Sequence, residues 1–68
     1  MKILVTHNGP TFRSTSGDFV SWEKYDHGEW YIKLKNARSQ YVEPAPDYVH
    51  KKPALIRLQK GTFVTVME

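Results

Sequence analysis

Cysteine is absent from this chain, and with it go disulfides, thiolate zinc sites and iron–sulfur clusters. Long apolar runs are missing too. Ile3-Leu4-Val5 near the start is too short for the apolar stretch of a secretion signal. No run approaches the roughly 18 residues of a membrane helix, so the expected compartment is the cytoplasm and no membrane is involved. Helical periodicity is scarce, and no glycine-rich loop opens a helix to cradle phosphate. Nor is there a G-x-S-x-G nucleophile elbow, and His7, His27 and His50 lie far apart without an H-x-x-x-H pair. These absences predict a protein without catalytic residues, cofactor or metal. With 68 residues there is room for one domain, 1–68, which buries only about 60% of its unfolded surface and must stand on its apolar core.

What is present is alternation with a period of two. Trp30-Tyr31-Ile32-Lys33-Leu34-Lys35 puts Trp30, Ile32 and Leu34 on one face and Tyr31, Lys33 and Lys35 on the other. Phe19 to Tyr25 alternates likewise, with Val20 and Trp22 inward. An Asp26-His27-Gly28 loop with Gly28 left-handed sets Glu23 opposite Tyr31, Trp22 opposite Ile32, Ser21 opposite Lys33, Val20 opposite Leu34 and Phe19 opposite Lys35. A second hairpin is expected around Gln59-Lys60-Gly61, pairing Ile56 with Val64 and Ala54 with Val66, so that Arg57 and Phe63 meet outside. His7–Asp18 and Ala37–Pro53 carry turn and breaker residues and read as loops, with a short strand possible at Tyr41-Val42.

The expected fold is all-β: a small five-stranded antiparallel SH3-like barrel, with an OB-like barrel as the alternative. Its strands lie near 2–6, 19–25, 29–36, 54–59 and 62–67. Val20, Trp22, Trp30, Ile32, Leu34, Ile56, Leu58, Val64 and Val66 form the expected core. The proline-bearing 37–53 segment argues against the helix that an OB fold carries there.

The stretch Gly17-Asp18-Phe19-Val20-Ser21 through Asp26-His27-Gly28-Glu29-Trp30-Tyr31 resembles the opening hairpin of Tudor-type, SH3-like barrels, a likeness confined to residues 17–34. It implies the barrel. A cage for methylated side chains, the family's binding device, would have Lys24 at one of its positions, and a cation there repels such a ligand.

Charge is segregated along the chain. Asp18, Glu23, Asp26 and Glu29 face one base, Lys24, between residues 17 and 29. From 30 to 42 come Lys33, Lys35 and Arg38 without an acid, and from 48 to 67 Lys51, Lys52, Arg57 and Lys60, again without one. The formal net charge is +3. Lysine and arginine interleaved with outward aromatics suit phosphates and stacked bases. The expected function is therefore a non-enzymatic binding module for nucleic acid, using Phe19, Tyr31, Lys33, Lys35, Arg38, Arg57 and Lys60. The alternative is a protein–protein interaction module, contacting its partner through the acidic hairpin tip and the Tyr41–Tyr48 loop. In that role so small a chain would act as a regulator or inhibitor of a larger machine, such as a phage encodes.

Overall fold

The computed structural model describes residues 1–43 and 45–67; Pro44, expected within the 37–53 loop, and Glu68 lie outside the described residues. The fold is all-β, with strands β1 (Lys2–Thr6), β2 (Phe12–Lys24), β3 (Trp30–Tyr41), β4 (Tyr48–Val49), β5 (Ala54–Arg57) and β6 (Phe63–Val66). They form one antiparallel sheet in the order β4-β3-β2-β1-β6, and β5 shares the outer edge of β3 with β4. Ile3 and Val5 of β1 share a core with Ile32 and Leu34 of β3 and Ala54 and Ile56 of β5. Strands that far apart in the sheet meet only if it curls, which gives a barrel-like fold. Among the described residues the ladder does not close, because β5 and β6 do not pair with each other. No helix among the described residues is long and apolar enough to cross a membrane.

The first hairpin forms as its turn chemistry dictates. Tyr25 N–H donates to the Glu29 carbonyl at 2.9 Å, Gly28 N–H donates to the Tyr25 carbonyl at 2.9 Å, and Gly28 takes φ 79°. Trp22 lies opposite Ile32, Glu23 opposite Tyr31 and Ser21 opposite Lys33, as expected. Below Ser21 the register shifts. An extra residue, Val20, bulges from β2, so Phe19 lies opposite Leu34 and turns inward against the core, while Val20 becomes exposed. A compensating extra residue sits in β3 at Asn36, whose φ of 51° is left-handed, a conformation asparagine tolerates. Each bulge switches the inward parity of its strand. On β3, Ile32 and Leu34 are buried before the bulge, Ala37 and Ser39 after it.

These bulges also explain why the expected loops are strand. β2 starts at Phe12 and β3 runs to Tyr41. The inward positions of residues 14–18 are Thr15 and Gly17, both buried, so no apolar alternation marks this strand. A side chain at Gly17 would be crowded there. A Cβ would stand 3.0 Å from the Lys35 carbonyl oxygen and 3.1 Å from the Ala37 Cα, both backbone atoms.

The second expected hairpin does not form. β5 pairs with β3, placing Ile56 opposite Ile32, and β6 pairs with β1, placing Val64 opposite Val5 and Val66 opposite Ile3. Direction alternates from β5 through β3, β2 and β1 to β6, so β5 and β6 run the same way and cannot make a hairpin. The turn at Gln59-Lys60-Gly61 exists, with Gly61 at φ 89°, but it carries the chain from one edge of the sheet toward the other. Val64 and Val66 are exposed as a result, because β6 has one neighbour. Trp22 and Trp30, expected in the core, are 51% and 47% exposed. The β1 ladder reaches only residues 14–18 of β2, and no strand among the described residues covers the far end of the hairpin.

Replacing Gly17 by Ala should therefore cost about 1–3 kcal/mol of stability through overpacking against rigid backbone. Gly28→Asn should be nearly neutral, since the site is open and asparagine accepts positive φ. Urea unfolding of both variants checks this, and a Gly17→Ala protein as stable as the parent would refute the close approach.

Candidate nucleic-acid interface

The Asn36 bulge decides where the cations of β3 point. Lys33 and Lys35 precede it and Arg38 follows it, and the parity switch leaves all three on the outer face. Lys51 and Lys52 extend this strip, which the sequence did not assign to it. They link β4, whose Val49 pairs with Arg38, to β5, whose Ala54 pairs with Leu34, and so pass beside residues 35–37 of β3. Asp18 lies opposite Lys35, yet it is engaged elsewhere: the Asn36 amide donates to it at 3.2 Å and Lys2 lies at 3.9 Å. The Asn36 hydrogen bond first, then Lys2, Lys35 and the N-terminal amine, hold the Asp18 carboxyl below its ordinary pKa of 3.8 against partial desolvation. Ion pairs among the described residues are Lys2–Asp18 and Arg57–Glu29, and neither engages Lys33, Lys35 or Arg38.

The remaining expected site residues divide. Tyr31 is on the outer face directly opposite Arg57 of β5, which the sequence had assigned to a separate cluster with Phe63. Acids share this part of the face. Glu29 accepts from the Tyr31 hydroxyl at 3.3 Å and pairs with Arg57 at 3.6 Å, and Tyr25 meets the Tyr31 ring edge-on at 4.8 Å. Tyr31 is thus a partly covered wall. Phe19 leaves the interface altogether, because the Val20 bulge turns it inward. Lys60 is exposed in the turn before β6, and Phe63 stands on β6 opposite Thr6, away from Arg57.

A second constellation lies within the sheet. His7 Nε2 is 3.1 Å from Thr15 Oγ1, Thr15 Oγ1 is 2.9 Å from Ser39 Oγ, and Ser39 Oγ is 2.7 Å from His50 Nε2. Thr15 and Ser39 are almost fully buried, and the relay satisfies both hydroxyls where an unpaired one would be costly. It ties the end of β1 to β2, β3 and the β4–β5 link. The sequence concealed it, since serine and threonine at 14–16 and 39 read as turn or surface residues. Beside the relay is a cavity of about 450 Å³, lined by Phe12, Ile56, Arg57 and Gln59 among others. No protein-family model, curated protein or solved structure matches the chain.

Burial lowers the pKa of His7 from its ordinary 6.5. The unfolded chain then takes up a proton at higher pH than the folded one. Stability should be full above pH 6.5 and decline as pH falls toward and through the depressed folded value. Urea unfolding between about pH 5 and about pH 8 should show this slope, flattened in His7→Gln. Equal slopes in parent and variant would remove His7 as its source.

Proposed function

We propose that this protein is a non-enzymatic binding module that holds nucleic acid against the outer face of β3. The observation that carries the reading is the continuity of Lys33, Lys35 and Arg38 across the Asn36 bulge, with Lys51 and Lys52 alongside. A bulge that changes parity would scatter these cations over two faces if their spacing in sequence were regular; the irregular spacing 33, 35, 38 compensates for it. Such a strip meets consecutive phosphates without reading sequence, and its affinity falls steeply with salt. The acids of the Tyr31 region restrict the strip to the middle and upper part of β3.

A protein partner is the second reading, favoured by one observation. Trp22 and Trp30 are half exposed on the same face of the hairpin, and β6 offers Phe63, Val64 and Val66 along an edge without a second neighbour. Exposed apolar surface of this kind marks interaction sites.

Replacing Lys33 and Lys35 together by Ala should leave the fold intact, because both side chains lie on the outer face, and should weaken nucleic-acid binding. Each lost phosphate contact should lower the salt slope by about one. Short single-stranded and duplex oligonucleotides titrated at two salt concentrations, followed by intrinsic fluorescence, provide the measurement. A double variant that binds as tightly as the parent, or a parent that shows no saturable binding at low salt, would exclude this function.

A further inference from the structure

We propose that the cavity beside β5 is a base pocket, which takes one unstacked nucleobase of a single-stranded nucleic acid whose phosphates lie on the cationic strip. The inference rests on the nucleic-acid reading above and specifies its ligand.

The argument starts from the ladder. Leu58 N–H donates to the Trp30 carbonyl at 2.8 Å, one step beyond the Tyr31–Arg57 pair. Hydrogen-bonded and non-hydrogen-bonded pairs alternate along an antiparallel ladder. Ile56 and Ala54 therefore spend their N–H and C=O groups on β3. Leu55 and Arg57 turn theirs the opposite way, where no strand among the described residues pairs with β5. That free edge forms one wall of the cavity, which both residues line. Two sets of backbone donors and acceptors, about 6.6 Å apart, face it.

The rest of the lining suits a planar heteroaromatic ring. Phe12 supplies an aromatic wall, with the ring centroids of His7 at 5.1 Å and Tyr41 at 4.8 Å from its own. Ile56 supplies apolar surface, while the hydroxyls of Thr15 and Ser39 each keep a free lone pair. A volume of about 450 Å³ falls in the range of small-ligand sites, roughly 300–1,000 Å³. Single-stranded bases are recognised in this manner, stacked on aromatics and hydrogen-bonded along their polar edges.

Position links the cavity to the strip. Leu55 is opposite Lys33 and Arg57 opposite Tyr31, so the cavity and the cations flank β5. From β3 across β5 to its far edge is about two strand spacings, roughly 10 Å. A strand with its phosphates on Lys33 and Lys35 can turn a base over β5 into the cavity. Duplex bases are held in their stack and would first have to be extruded. An extended peptide is a poorer occupant, since β5 turns only two residues' backbone groups to this side and Pro53 closes one end.

The test uses the isotopically labelled full chain and three probes at low salt: a short single-stranded oligonucleotide, the same strand with abasic sites, and its duplex. The single strand should shift the Leu55 and Arg57 amide signals and slow their hydrogen exchange, and the abasic strand should not. The intact strand should bind about 5–100-fold more tightly than the abasic one, the worth of one stacked base. Phe12→Leu should erase that difference. Abasic and intact strands binding equally, with both amides unmoved, would overturn the pocket and leave the cationic interface standing. No binding of any oligonucleotide would overturn both. An acidic extended peptide that moves the two amides when no oligonucleotide does would overturn the pocket in favour of a peptide site.

Discussion

The close approach of β2 to β3 at Gly17 governs this molecule. Two backbones approach so closely there that a methyl group would press on the Lys35 carbonyl and the Ala37 Cα, and each strand carries one extra residue beside the contact, Asn36 in β3 and Val20 in β2. Because the insertions offset one another, the ladder leaves the contact in the register in which it entered. Both strands nevertheless exchange their faces together. β2 can therefore pair with β1 through its first half and continue past it as the hairpin arm. The same exchange sends Phe19 inward, exposes Val20 and aligns Lys35 with Arg38 on the outside.

Sequence patterning revealed what depends on neighbours close in the chain. The Asp26-His27-Gly28 turn, the pairing of residues 21–25 with 29–33 and the inward Ile32, Leu34 and Ile56 all follow from alternation and turn chemistry. It failed where a residue's side is set by something distant. Val20 and Phe19 traded places because a bulge leaves no mark in composition. β5 and β6 flank a good turn, yet the direction of the three strands between them prevents their pairing. Trp22 and Trp30 occupy inward positions, but inward is not covered: the opposing strands stop short of them.

Site residues followed the same divide. Lys33, Lys35 and Arg38 could be read from the acid-free stretch that contains them. Lys51 and Lys52 join them only through the pairing of β4 and β5 with β3. His7 and His50, too far apart in sequence to suggest a shared site, are brought into one chain by two hydroxyls. The core that results is small and stops at Ile32, so the arm beyond it is held mainly by backbone pairing and aromatic contacts such as Phe19–Trp22 at 5.6 Å.

The relay from His7 to His50 has a polarity that its distances do not express. Three hydrogen bonds run along it, but Thr15 and Ser39 bring only two protons. When both rings are neutral and both hydroxyl protons are spent within the relay, one imidazole supplies the third from Nε2 and the other receives at Nε2. The two histidines then hold opposite tautomers, although they belong to different elements. Reversing one reverses every hydroxyl between them, so the four side chains behave as a single two-way conductor whose ends always disagree. A proton taken up at His7 fixes its direction, with Ser39 donating into His50.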